Sequence, residues 1–375
     1  MIYLDHNATT PIAPEVAEAM APYLYRKFGN PSSGYRLGQE AKEGVEAARG
    51  QVAGLLECSA EEVCFTSGGT ESNNTVIKGV AHTLREKGTH IITTSIEHPA
   101  ITNPALFLLN QGYDVTFVPV NGAGVVDPDD VKKSIKDTTI LISVMHANNE
   151  TGTIEPIAEI GKVARESGIL FHTDAAQSVG KIGTNVAELN VDFLSLAGHK
   201  VYAPKGVGAL YIRNGITVEP LIHGSGQERG RRAGTENVPF VVGLGAACAL
   251  AKEEMEDDFV HIRRLRDRLH ERLLFEIPNL VLNGHPDKRL PNTLNVSFPG
   301  IEGGALLELL SDVCASTGAA CHDRSVKLSH VLAAMNVPVS VGKGAVRLSL
   351  GRENTNEEID QAADAIIAAY KKLRG

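Results

Sequence analysis

"VCFTSGGTESNN", residues 63–74, sets the frame in which the rest of the chain is read. Four β-rich residues run into Gly68 and Gly69 and then into a helix opened by Thr70 and Glu71. Strand, tight turn and helix follow one another without a linker, as the repeating unit of a parallel sheet requires. The alternation recurs downstream. β-Rich runs at 90–95 ("HIITTS"), 114–120 ("DVTFVPV"), 139–147 ("TILISVMHA") and 169–174 ("ILFHTD") are separated by segments of helical spacing. The expected fold is therefore α/β with a mostly parallel sheet. Near Asn237 the texture changes to a long helical stretch, followed by "LVLNG", "TLNVSF", an apolar helix "GGALLELLSD", a strand "AVRLSLG" and a terminal helix "NEEIDQAADAIIAAYKKLR". This second texture predicts a smaller α+β domain. The boundary is placed inside the long helix, giving a large domain over 15–255 and a small one made of 1–14 and 256–375.

A chain of 375 residues with 43% hydrophobic content can bury a core without covalent staples, and its size suits two lobes. The net charge of -9, with 22% charged residues and no long run of one sign, leaves no electrostatic footprint for nucleic acid or an anionic membrane. No apolar run reaches the roughly 18 residues needed to span a bilayer. The opening "MIYLDHNATT" carries neither a basic leader nor an apolar signal core, so a cytoplasmic location is expected. The expected partner is a small soluble molecule.

Five cysteines, at 58, 64, 248, 314 and 321, form no C-x-x-C pair, so disulfides are not expected and any special thiol is expected to be catalytic. Two of them share the motif "GAAC". Cys248 lies in "VVGLGAACALA", where small and apolar residues continue without a break, the setting of a thiol packed between close helices. Cys321 follows "STG" and precedes "HDRS", a run of turn formers and charges. Scaffold-held loops are where reactive groups sit, which makes Cys321 the candidate.

Further groups bear on that choice. Gly68 and Gly69 can present backbone N–H groups to an anion, the helix start adds its positive end, and the Thr70 hydroxyl can donate. A phosphate would fit there, although an ordinary capped turn would look the same. Asp174 ends the strand "FHTD", and His199 and Lys200 end what reads as one further strand within "VDFLSLAGHKVYAPKGVGAL". An acid and a lysine at the ends of strands in one open sheet converge on the crevice where such folds bind ligands. A lysine so placed can carry pyridoxal phosphate as a Schiff base, while an aspartate pairs with the pyridinium nitrogen. His98, in "TTSIEHPAI", stands at a strand-to-helix junction where an imidazole could stack on an aromatic cofactor and move protons. A metal site built from His98, His172, Asp174, His199 and Cys321 is disfavoured because their spacing matches no ligand pattern.

These residues carry a resemblance. From "YLDHNATTP" to "VRLSLGRENTNEEID", in order and over nearly the full length, the chain resembles the fold-type I pyridoxal-phosphate enzymes of the class V aminotransferase group. Within that group it is similar to the cysteine desulfurases and selenocysteine lyases. The motifs are "NPSSGYRLGQEA", "FTSGGTESNN", "EHPAI", "ANNETGTIEPI", "HTDAAQS", "GHKVYAPKGVGAL", "GSGQERGRRAGTEN" and "TGAAC". The resemblance implies pyridoxal 5'-phosphate bound covalently by Lys200, with Asp174 on the pyridinium nitrogen, Gln177 on the ring oxygen and His98 stacked on the ring as acid or base. It further implies phosphate contacts from Gly69, Thr70 and His199, with Thr235 reaching across from a second subunit, and hence a homodimer. Asn149 and Arg347 would hold the substrate carboxylate, an apt use of an arginine fork. Cys321 would accept sulfur or selenium from L-cysteine or L-selenocysteine, leaving L-alanine, before passing it to an acceptor protein.

Two departures bear on substrate. Many desulfurases carry a hydroxyl residue three places before the lysine, where this chain has Ala197. Their catalytic loop resembles "SSGSACTS", where this chain has "ASTGAACHD". Both features are similar to selenocysteine lyases and lean the expectation toward selenocysteine, with a general cysteine desulfurase as the alternative. His322, with Asp323, stands beside Cys321 in sequence and is counted among the substrate-binding residues, because it could bias the charge of the substrate thiol or selenol. An aminotransferase in which Cys321 is a bystander, and a non-catalytic sulfur scaffold, are the rivals from other classes.

Overall fold

The structure is a computed structural model that describes residues 1–318 and 328–375. Cys321, His322 and Asp323 lie outside the described residues. A seven-stranded sheet runs in the order Val63–Thr66, Gly208–Ile212, Phe193–Ala197, Leu170–Asp174, Thr139–Ser143, His90–Thr94, Asp114–Val118. All neighbours are parallel except the pairs made by Gly208–Ile212, which runs antiparallel to both of its partners. The mostly parallel α/β sheet read from sequence is therefore the architecture.

Both faces of this sheet are covered, which explains why its strands read as unbroken apolar runs. Cys64, Ile91, Leu141, Phe193 and Leu210 face a cluster that includes Val76, Ile77 and Val80 of the helix Gly69–Thr83. Their chain neighbours Phe65, Ile92, Ile142, Leu194 and Tyr211 join the opposite cluster with Val45, Val52 and Leu56 of the helix Arg36–Leu56. Adjacent residues thus alternate between two cores, as the pleat dictates.

The segment 191–210, read as holding one strand, is a hairpin. Phe193–Ala197 ends in a short turn, Gly198–Lys200, and the chain returns as the antiparallel Gly208–Ile212. The reversal needs its glycines. Gly206 has φ +84°, and a Cβ on Gly208 would stand 2.7 Å from the Gly68 Cα. The Lys200 turn and the Gly68 turn are packed together for this reason.

The helix Val238–Glu276 connects two cores. Val241, Leu244, Ala247, Cys248 and Ala251 are buried in the cluster on the sheet, whereas Ile262, Leu265, Leu269 and Leu273 are buried in another. That other core lies under the sheet Ala345–Ser349, Thr293–Ser297, Val281–Leu282 and the helix Asn356–Arg374. The strand Ile2–Tyr3 pairs with Val313–Cys314, so Ile2 and Leu4 belong to this core as well. Cys248 is fully buried, and its thiol is pushed up to about 12 by desolvation. Among the described residues, no helix is long and apolar enough to cross a membrane.

Candidate active site

Beyond the carboxyl ends of the parallel strands lies a cavity of about 500 Å³. Every site residue expected from sequence and described by the structure lines it, except Thr235. Gly69 and Thr70 come from the turn after the first strand, Asp174 from the end of Leu170–Asp174, and His199 and Lys200 from the turn after Phe193–Ala197. Arg347 arrives from the other core on Ala345–Ser349.

The turn at Gly68 and Gly69 is open. Gly68 has φ +148°, in the region that favours glycine, and no side chain caps the helix that follows. The first N–H groups of a helix lack intrahelical partners and bind anions. Glu71 turns its carboxylate back to the Ser67 N–H (2.9 Å) and to Arg232 (2.9 Å), away from that opening. A Cβ placed on Gly69 would lie 3.3 Å from the Ala197 Cβ. A methyl group therefore stands where a hydroxyl donor was expected from related sequences. His199 Nδ1 meets the Thr9 hydroxyl at 3.2 Å, and desolvation lowers the imidazole to about 4, so it is neutral.

Asp174 is buried, with Oδ1 accepting from the Ala176 N–H (3.0 Å) and Oδ2 from the Asn73 amide (2.7 Å). Lys200 Nζ donates to the carbonyls of Asn7 and Ala8. Desolvation, then Arg347, pull its ammonium down to about 8, against the opposing pull of Asp5 and Asp174. His98 begins the helix Pro99–Leu109, and its Nδ1 accepts the Ala100 N–H at 3.1 Å. The hydrogen of the neutral ring must therefore sit on Nε2. Desolvation holds this histidine below its ordinary value.

The residues fit pyridoxal 5'-phosphate on structural grounds. Gln177 donates through Nε2 to the Asn7 carbonyl (3.0 Å), while its Oε1 and the Asn73 Oδ1 are buried without partners. Buried acceptors of this kind are costly unless something completes them. A flat ring bearing a hydroxyl, a basic ring nitrogen and a phosphate matches these acceptors, the Asp174 carboxylate and the open helix start.

Arg347 is 4% exposed, donating through Nη1 to the Asn149 carbonyl (2.9 Å) and through Nη2 to Asp5 Oδ1 (2.6 Å). Thr235 is exposed and outside the cavity, in a segment pinned by the Arg232–Glu71 pair and the buried Arg49–Glu228 pair (2.7 Å). Within one chain it does not join the site. Among the described residues, no group of three or more His, Cys, Asp or Glu side chains could hold a metal ion.

Sequence reasoning missed Asp5, Asn7 and Asn73, all of which line the cavity. It also missed two buried glutamates, Glu97 and Glu150, each next in the chain to a lining residue. Glu97 Oε1 accepts from Thr94 (2.7 Å) and the Met145 N–H (3.0 Å), and desolvation raises its carboxyl to about 8. Glu150 is likewise raised by desolvation. The only available signal was position, since Asn73, Glu97 and Glu150 each stand inside or beside a motif already singled out.

Comparison with known proteins agrees with this geometry. The family described as Aminotransferase class-V matches residues 2–362. A cysteine desulfurase IscS of Methanosarcina thermophila is 52% identical over 375 residues, covering 100% of this chain and 93% of the relative. The cysteine desulfurase IscS of Dictyoglomus turgidum is 50% identical, covering 100% of this chain and 95% of its own. Among solved structures, a NifS-like protein superposes with a TM-score of 0.92 at 40% identity, covering 98% of each chain. SspA in complex with cysteine superposes with a TM-score of 0.84 at 37% identity, covering 95% of this chain and 100% of that one. The chain belongs to the class-V aminotransferase family, and its cofactor is pyridoxal 5'-phosphate.

Proposed function

We propose that the protein is a cysteine desulfurase that takes sulfur from L-cysteine, releases L-alanine and passes the sulfur through Cys321 to an acceptor protein. The lean toward selenocysteine is dropped, because the relatives compared are named for cysteine desulfurases and one superposed structure is described as a complex with cysteine. The observation that carries the reading is a meeting of two chemistries in one cavity. Lys200, Asp174 and His98 line it from the sheet, while Arg347 and Gly318 line it from the other side, and Cys321 follows Gly318 by three positions.

When bound, the cofactor supplies an electron sink for the Cα–H bond of the amino acid. Asp174, fixed by Asn73 and Ala176, would hold the ring nitrogen and favour its charged N–H form. Arg347 and Asn149 bind the α-carboxylate. Lys200, lowered to about 8, gives up its proton far more readily than an ordinary lysine and, once neutral, removes the Cα proton at Nζ. His98 presents Nε2–H to the same space and can deliver a proton there. The Cys321 thiolate attacks the substrate sulfur, so an S–S bond forms as the C–S bond breaks. The C–S electron pair stays with the carbon skeleton, which gains a proton and leaves as alanine. Sulfur is oxidised to the sulfane level and carbon is reduced, so no external oxidant is required.

Three structural assignments belong to this proposal. Residues 15–255 form the cofactor-binding domain, and 1–14 with 256–375 form the domain that brings Asp5 and Arg347. Thr235 completes the phosphate site of a second copy in a homodimer. The protein works in the cytoplasm.

The test is alanine release from L-cysteine and L-selenocysteine at equal concentrations, with sulfide read for the first and selenide for the second. Alanine from cysteine is expected, and alanine from selenocysteine alone would overturn the reading. Lys200→Ala should abolish turnover together with the cofactor's protein-bound absorption band.

A further inference from the structure

Arg347, which would take the α-carboxylate of the substrate, is held in the structure by a carboxylate of the chain's own. Its side chain is 5% exposed. Nη1 donates to the Asn149 carbonyl at 2.9 Å, an acceptor shared with the Asn7 amide (3.2 Å). Nε is buried, with no partner among the described residues. Nη2 donates to Asp5 Oδ1 at 2.6 Å, and among the described residues the Asp5 carboxylate has no other hydrogen-bond partner. A guanidinium receives a carboxylate two-pronged along one of two edges, Nε with Nη2 or Nη1 with Nη2. Both edges use Nη2, so Asp5 stands on the nitrogen that either mode requires.

The two ties differ in how readily they let go. The Asn149 acceptor is backbone. The Asp5 backbone is equally fixed: its carbonyl accepts the N–H groups of Ala8 (2.9 Å) and Thr9 (3.4 Å) and the Tyr3 hydroxyl (3.1 Å), and the flanking Leu4 carbonyl and His6 N–H bond to Ser349. Its carboxylate is not. The Asp5 side chain is 20% exposed and lines the cavity, and rotation about its own torsions carries the carboxylate off Arg347. An entering α-carboxylate that leaves Asp5 in place sets two like charges against one guanidinium, which disfavours both. One that displaces Asp5 breaks a charge-assisted hydrogen bond to form another. In either case Asp5 weakens the hold on the ligand's carboxylate.

We propose that Asp5 is a stand-in for the substrate carboxylate, a positioning residue that acts through Arg347 to loosen the grip on every α-amino acid that enters, product as well as substrate. The inference rests on the reading of Arg347 as the carboxylate site of a cysteine desulfurase. Cysteine and alanine present the same carboxylate, so a cation left bare would retain alanine after each turnover as firmly as it captured cysteine. Asp5 takes Arg347 back as the product leaves.

The experiment titrates the cofactor-loaded full chain and its Asp5→Asn variant with L-alanine and with ethylamine, which is alanine without the carboxylate, following the cofactor's absorbance. Asp5→Asn keeps the shape and an oxygen for Nη2 and removes the charge. Alanine should bind the variant roughly tenfold more tightly, while ethylamine binds both proteins equally to within about twofold. In turnover, the KM for cysteine should fall and inhibition by alanine should tighten together, without a rise in kcat. A merely structural role would move the two ligands alike, as would a change passed through Lys200, whose ammonium Asp5 favours against desolvation. Alanine binding that is unchanged or weaker in Asp5→Asn, or a tightening shared equally by ethylamine, overturns the proposal. Should Asp5→Asn fail to fold, Asp5→Ala is read by the same criteria. Neither ligand carries sulfur, so failure of the desulfurase reading, seen as no alanine released from cysteine by the unmodified protein, leaves this test standing.

Discussion

The cavity has two walls built on different physical terms. The ring-side wall comes from strand ends of one sheet, and its polar groups are either fixed by backbone, as Asp174 is by Ala176, or left waiting, as Gln177 Oε1 and Asn73 Oδ1 are. The substrate-side wall presents a cation already paired, with Arg347 bound to both Asp5 and the Asn149 carbonyl. A ligand entering the first wall completes unsatisfied groups. A ligand entering the second must exchange for a partner already present. The first suits a resident cofactor, and the second suits a substrate that must leave as product in every cycle.

If the walls are separable, mutation should separate them. Arg347→Ala should raise the KM for cysteine by roughly a hundredfold, since truncating one member of a buried charge pair costs about 2–5 kcal/mol. Cofactor content and its absorption band should be unchanged. Loss of the band together with cysteine binding would show that the two walls form one unit and would break the comparison.

A smaller effect is expected from Glu97, the buried residue that precedes His98 in the chain. Its folded value of about 8 lies above the ordinary 4.5, because burial disfavours the charged carboxylate. The folded chain therefore holds a proton that the unfolded chain releases above about pH 4.5. Stability falls as pH rises from there toward 8 and levels off beyond, by up to about 1.4 kcal/mol per pH unit. Glu97→Gln removes this penalty. Relative to the unmodified protein, its melting temperature should be matched near pH 5 and higher at pH 8.5. A difference independent of pH would mean that Glu97 is charged in the folded state.

The two walls also differ in how far they could be read from sequence. The ring side was legible because a parallel sheet buried on both faces writes its strands as apolar runs, so that a polar residue at a run's end, such as Asp174 or Lys200, stands out. His98 was visible for the same reason at a helix start. At 191–210 the strand was read as ending at His199 and Lys200, but the return strand Gly208–Ile212 was not read, although Pro204 and Gly206 between them carry the turn signal. The substrate side depends on pairs remote in sequence. Asp5 meets Arg347 across nearly the whole chain, and Glu150 meets Ser329 from another domain's worth of sequence away; nothing local marks either contact. Cys321 was picked out by the turn formers and charges that flank it, since Cys248 shares its GAAC motif, and its geometry lies outside the described residues.

The smallest effect expected lies at Ala197, where the ring-side wall is least complete. The Ala197 methyl faces Gly69 at the helix start, 3.3 Å from where a Cβ on Gly69 would stand. Ala197→Ser would bring a hydroxyl donor next to that helix start. A hydrogen bond to a charged group contributes about 1.5–3 kcal/mol. Part of that is offset by fixing the hydroxyl and by the tight contact, so cofactor loss on dialysis should slow by roughly three- to tenfold while the KM for cysteine stays put. An unchanged loss rate would mean that the open N–H groups of Gly69 and Thr70, with neutral His199, already satisfy the phosphate. The departure at Ala197 would then be neutral for cofactor retention, and the waiting acceptors deeper in the wall would be what holds the ring.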